Sequence, residues 1–182
     1  MRPTCVTVGP RLLLAGALLL GAVGARAQTA KGGKIDPTWL RADATSKTVE
    51  FKLVAGLTDA NGGMNFNGFG RGGLVLTVPQ GWTLVLHYKN EDPNLPHSVE
   101  VIREAAALPT GPVPPAFEHA ASGRLEQGFS TGQGADVRFA PGKAGPFLIF
   151  CAVPGHGTAG MWIRLAVSEA VDKPALATAA ER

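Results

Sequence analysis

The sequence predicts an all-β protein, a Greek-key β-sandwich or barrel of seven to eight strands. Three observations predict it. Short runs of four to eight residues alternate polar and apolar side chains with period two along most of the chain. Turn-forming clusters separate them, drawn from 24 glycines and 14 prolines in 182 residues. No long helical block interrupts the series. A chain that is 45% hydrophobic and 17% charged also has too much apolar surface to remain disordered, and its length fits one domain.

The first 27 residues read as a secretory signal. Arg2 and Arg11 precede an apolar run from Leu12, and Ala25-Arg26-Ala27 supplies the small-x-small ending, with cleavage expected after Ala27. The apolar run is roughly 12–14 residues, short of the ~20 that a spanning helix needs. A membrane association is expected only if this segment is retained. The expected location is periplasmic or secreted.

Residues 28–46 form an N-terminal extension, polar and glycine-containing at first. Asp36-Pro37 gives a cap followed by proline at the first helical position, so one helical turn is predicted to about Arg41. The domain itself is assigned to residues 47–170. Thr48 to Val54 is a half-buried strand by alternation, and Asp59-Ala60-Asn61-Gly62-Gly63 is a turn before a short strand at residues 64–67. Residues 74–78 form a strand, Pro79-Gln80-Gly81 turns the chain, and residues 82–89 form a longer one. After a loop at residues 90–96, residues 97–103 alternate again. Residues 104–134 hold Pro109, Pro112, Pro114 and Pro115 and read as irregular. Three more strands follow, at 135–140, 147–151 and 161–168. The alanine-rich tail, 171–182, is predicted to be flexible.

Removing the signal changes the arithmetic. Arg2, Arg11 and Arg26 leave with it and no acid does, so 14 basic residues then face 14 acidic ones. The basic balance of the whole chain therefore gives no argument for nucleic acid or for an anionic membrane. Neither a G-x-x-x-x-G-K nor a G-x-G-x-x-G pattern lies between a strand and a helix, so nucleotide binding has no support. Cys5 also leaves, and Cys151 remains as the single cysteine of an exported chain. An unpaired thiol in an oxidising compartment needs a role.

Phe147-Leu148-Ile149-Phe150-Cys151 leads into a loop with His156 and Met161, with four residues between each donor and the next. Pro154-Gly155 turns the chain between Cys151 and His156, and Gly157 and Gly160 allow it to bend back toward Met161. A thiolate, an imidazole and a thioether are ligands that suit copper in both oxidation states. His97, after Pro96 and 54 residues before the cysteine, is the best fourth donor. Two histidines, a cysteine and a long axial methionine make the blue-copper electron-transfer arrangement. Taken singly, each has an ordinary reading: a core cysteine, a loop histidine, a core methionine. His87 and His119 lack companion ligands and read as structural or surface residues. Trp39, Trp82 and Trp162 read as core or rim aromatics.

This pattern resembles that of the cupredoxins and, more narrowly, of the sulfocyanin family. Asn65-Phe66-Asn67-Gly68, Leu95-Pro96-His97-Ser98, and Cys151 through His156 to Gly160-Met161-Trp162 carry the resemblance. The ligand loop and Ser98 are also similar to those of rusticyanins. The resemblance implies a cupredoxin-like sandwich with one type 1 copper ion, bound by His97, Cys151 and His156 with Met161 axial. It implies an electron carrier rather than an enzyme, a monomer whose partners are redox proteins such as c-type cytochromes, an oxidase or a reductase.

A copper carrier or storage protein without a redox circuit is the alternative. A Cys–His hydrolase would need an activated thiolate, and Phe150 and Ala152 beside Cys151 offer no activation. The apolar neighbours Phe150, Ala152, Val153, Pro154 and Trp162 disfavour the more highly charged Cu(II) state, so a fairly positive reduction potential is expected.

Overall fold

Alternation in the sequence becomes strand pairing in the computed structural model, which describes Met1 and residues 33–179. The signal segment, its cleavage point and Cys5 lie outside the described residues. One sheet has the order β1-β2-β4-β6 and the other β5-β7-β8-β3-β9. Their strands are β1 (Leu40–Asp43), β2 (Thr48–Ala55), β3 (Leu74–Pro79), β4 (Thr83–Asn90), β5 (Glu100–Arg103), β6 (Gly134–Phe139), β7 (Gly145–Phe150), β8 (Trp162–Ser168) and β9 (Ala175–Thr178). The pairs β2–β4 and β3–β8 are parallel, and the remaining pairs are antiparallel. The sheets do not close into a barrel: the fold is a sandwich. No helix among the described residues is long and apolar enough to cross a membrane.

The period-two pattern explains which faces meet. In β2, Val49, Phe51, Leu53 and Ala55 point inward while Glu50 and Lys52 are exposed. Leu84 and Leu86 of β4 join them, and Leu74, Leu76, Ile149, Ile163 and Leu165 come from the opposite sheet to the same core. Each of these leucines and phenylalanines stabilises the fold by about 1.5–3 kcal/mol relative to an exposed one.

Three segments depart from the sequence expectations. Residues 64–67 form a single antiparallel bridge, Ala55 to Phe66, in place of a strand: the Gly56 N–H donates to the Asn65 carbonyl and the Asn67 N–H to the Val54 carbonyl. β1 covers β2 only as far as Phe51. Beyond it, Asn67 Oδ1 accepts the Val54 N–H at 2.9 Å and Asn67 Nδ2 donates to the Lys52 carbonyl at 2.9 Å. The segment at 28–46 is more than an extension. Asp36 caps a 3-10 turn over Pro37–Trp39 through the Thr38 N–H, and the chain then enters the first sheet as β1.

The third departure corrects the flexible tail assigned to 171–182. Residues 175–178 pair with β3 as β9, and Leu176 packs on the core. Without β9, β3 would present an unpaired edge, and covering such an edge is a sufficient reason for a weakly patterned Ala-Leu-Ala-Thr run to become a strand. Residues 180–182 lie outside the described part.

The second sheet also sets the site. β5, β7 and β8 are neighbours of alternating direction, so the start of β5, the end of β7 and the start of β8 lie at one end of the sandwich. His97 precedes β5, Cys151 follows β7, and Met161 precedes β8.

Candidate metal centre

The donor loop folds as a series of tight turns. The His156 N–H donates to the Val153 carbonyl, Ala159 N–H to Gly155, and Gly160 N–H to Gly157. The loop closes on itself where Met161 N–H donates to the His156 carbonyl at 3.0 Å and Cys151 N–H to the Met161 carbonyl at 3.0 Å. Gly155 and Gly160 have φ of 86° and 107°, in the region that favours glycine. Gly157 is required for another reason: a Cβ there would run into the Phe150 ring. Met161 is fully buried at the end of the loop.

His97 Nδ1 and His156 Nδ1 lie 3.1 Å apart, and Cys151 Sγ lies 4.0 Å from the first and 3.7 Å from the second. A triangle with those sides has a centre about 2.1 Å from every corner, within the ~2.0–2.3 Å over which imidazole nitrogen and thiolate sulfur hold a first-row metal ion. Among the described residues this is the cluster of histidine, cysteine or carboxylate side chains able to hold a metal. Two nitrogens, one sulfur and an apolar methionine-bearing loop fit one copper ion in a type 1 site.

The other histidines stay apart. His87 Nδ1 pairs with Asp136 at 2.9 Å on the outer face of the first sheet, and His119 is an exposed neighbour of Glu118. The tryptophans are partly buried against the cores, as the sequence predicts.

The family described as "Sulfocyanin (SoxE) domain" matches residues 36–178. The chain belongs to the sulfocyanin family. It is 27% identical over 143 residues to the sulfocyanin of Sulfolobus acidocaldarius, with 72% of this chain and 69% of that protein covered. Among solved structures it is similar to auracyanin A, a "blue" copper protein from Chloroflexus aurantiacus, at 20% identity and a TM-score of 0.48 over 66% of this chain and 99% of that one. It is also similar to rusticyanin from Thiobacillus ferrooxidans, at 19% identity and a TM-score of 0.46 over 72% and 88% of the two chains.

Within this sulfocyanin domain the donors sit in unequal surroundings. His97 and Cys151 are fully buried, whereas His156 is half-buried. Burial pushes the Cys151 thiol up to about 11, against the opposing Ser98 N–H bond to Sγ. A thiol held that high is protonated at neutral pH and is no nucleophile, while a coordinating metal would deprotonate it. Burial likewise lowers both histidines below the ordinary imidazole value, which keeps their lone pairs available.

Several further residues position the donors, and of these the sequence marks Ser98 alone, through its resemblance to rusticyanins. Ser98 donates its hydroxyl to the Leu125 carbonyl and accepts the Ala152 N–H, tying the two donor strands together. Residues 104–134, irregular by sequence, form a strap along the free edge of β5: Ala116 N–H donates to the Val101 carbonyl, Val101 N–H to Ala120, and Ser122 N–H to Val99. Further along, Phe129 exchanges both backbone hydrogen bonds with His97. Gly128 is held at φ 72°, where a Cβ would lie 2.8 Å from the His97 nitrogen. Asn61 Nδ2 and the Arg71 guanidinium both donate to the Ala159 carbonyl, bracing the donor loop from the other side. A proline-rich run carries no alternation, so the only local signal for the strap was the glycine before Phe129.

Proposed function

We propose that this protein is an exported single-electron carrier with one type 1 copper ion held by His97, Cys151, His156 and Met161. The observation that carries the reading is the triangle of Nδ1, Nδ1 and Sγ with a common point at metal-bonding distance from all three. When bound, the copper ion supplies one reversible electron through the Cu(II)/Cu(I) couple.

The chain's own residues do the rest. β5, β7 and β8 hold the donors on a rigid sheet end, so the site changes little between oxidation states. The strap and the donor-loop brace keep His97 and the loop in place from two sides. Phe150, Ala152 and Val153 exclude water from Cys151 and lower the local polarity, which supports a fairly positive potential. His156, half-buried while His97 is sealed, is the donor nearest to solvent and the natural route for the electron.

The apolar, short N-terminal run supports export with cleavage after Ala27. Redox proteins such as c-type cytochromes, an oxidase or a reductase are the proposed partners, met through a small and short-lived interface.

The test is the spectrum of the purified, copper-loaded protein. An intense thiolate-to-copper absorption at about 600 nm is expected from a trigonal Cys/His site. A colourless or weakly blue cupric protein would overturn the reading and favour copper carriage or storage.

A further inference from the structure

The donor His97 does not stand alone. Its second ring nitrogen, Nε2, lies 3.0 Å from Asp92 Oδ2, and the two side chains are 0% and 4% exposed. The other carboxylate oxygen, Oδ1, accepts the N–H groups of Asn94 at 2.8 Å and Leu95 at 3.0 Å. The Asp92 backbone is fixed as well: its N–H donates to Asn90 Oδ1 at 2.9 Å, and its carbonyl accepts from the Thr131 hydroxyl.

Two glycines seal the carboxylate from the β2 side. Gly56 has φ 65° and Gly63 φ 85°. A Cβ on Gly56 would collide with the Asp92 backbone and Cβ, and one on Gly63 with Oδ2. The carboxylate is thus enclosed against the ligand histidine, with every polar neighbour donating to it.

We propose that Asp92 is the residue that sets the orientation of His97 and lowers the reduction potential of the site. It rests on the copper reading above. An ionised carboxylate is acceptor-only, so the Nε2 facing it carries the proton and Nδ1 presents its lone pair to the donor triangle. The same charge, buried one imidazole ring from the metal position, favours the oxidised and more positive state. Asp92 therefore acts against the apolar wall of Phe150 and Ala152, which favours the reduced state. An asparagine cannot replace it: with N–H donors on both sides, the amide NH₂ must face either the loop or Nε2.

The experiment uses the copper-loaded chain and reads the potential from the blue absorption. Asp92→Asn is expected to shift the Cu(II)/Cu(I) equilibrium toward Cu(I) by tenfold or more, a rise of about 59 mV or more for one electron. Asp136→Asn, which removes an equal charge beside the exposed His87, is expected to leave it unchanged. A wild-type protein without a blue band sinks the copper reading itself. A blue wild type with Asp92→Asn at the same or a lower potential sinks this proposal alone.

If Asp92→Asn takes up no copper, nitrogen-15 spectra of the Cu(I)-loaded wild type decide. The expected result is a slowly exchanging proton on His97 Nε2 with the metal on Nδ1. The opposite tautomer, or a proton in free exchange with water, overturns the assignment.

Discussion

The donor loop at residues 151–161 and the strap at 104–134 serve one site, and they are built in opposite ways. The loop is local. Three of the four proposed donors fall within it, and its turns are closed by hydrogen bonds of its own backbone. The strap contributes no donor. It borrows its order from β5, whose free edge it pairs with, and fixes the donor that lies farthest away in sequence, through Phe129 and Gly128 against His97. Chemistry can be gathered within eleven residues; holding the remaining ligand in place requires a second segment that carries no chemistry.

Breaking the loop has the largest effect. Cys151→Ser replaces the thiolate by a hydroxyl and leaves the strap contacts untouched. The blue band is expected to disappear, with circular dichroism of the sheets unchanged. A visible spectrum that survives the substitution would remove Cys151 from the site.

On the strap side the largest effect lies at Glu100. It is fully buried in β5, Oε1 accepts the Val113 N–H of the strap at 3.2 Å, and Oε2 has no partner among the described residues. Burial raises its carboxyl to about 7, from an ordinary 4.5. Between those values the folded chain holds a proton that the unfolded chain has lost, so stability falls as pH rises through that window. The loss amounts to roughly 3–4 kcal/mol by pH 8, taking a buried shift at about 1.4 kcal/mol per unit. Glu100→Gln, neutral throughout, is expected to flatten the slope in urea unfolding between pH 5 and pH 8. An equally steep slope in the variant would show that other groups are responsible.

The same contrast explains what the sequence disclosed. Cys151 and His156 were legible because their close chain spacing brings them together, and β2, β3, β4, β6, β7 and β8 because alternation survives without knowledge of neighbours. β9 and β1 were not, because pairing with a free edge made strands of weakly patterned runs. Residues 64–67 meet β2 at one backbone bridge only, because beside it the Asn67 side chain, which alternation does not reveal, takes up the β2 backbone groups. Asp92 was invisible for a similar reason: a loop carboxylate becomes significant only when the fold closes it over His97.

Two glycines measure the strap against the loop directly. Gly155 in the loop and Gly128 in the strap both have positive φ, 86° and 72°. Space for a methyl is open at Gly155, whereas at Gly128 it would meet His97 N at 2.8 Å and Pro96 at 2.9 Å. Gly155→Ala is expected to cost about 1 kcal/mol, from backbone strain alone. Gly128→Ala adds a displacement of the ligand backbone and is expected to cost roughly 2–3 kcal/mol. It should also speed copper release in a chelator assay, while Gly155→Ala changes release little. Equal losses in the two variants would mean that the strap does not bear on His97.

The smallest effect belongs to the brace on the far side of the loop. The Arg71 side chain is exposed, and its guanidinium donates to the Ala159 carbonyl at 3.0 Å and lies against Gly160. Its backbone N–H independently holds the Gly160 carbonyl at 2.8 Å, and Asn61 shares the Ala159 carbonyl. Arg71→Ala therefore removes one of three ties and keeps two, so about 0.5–1 kcal/mol is expected in thermal unfolding. The comparison is sharper in amide exchange. Because Met161 N–H is closed within the loop onto His156, its protection should survive the loss of Arg71, and a loop that opens in this variant would show that the local turns are not self-sufficient after all.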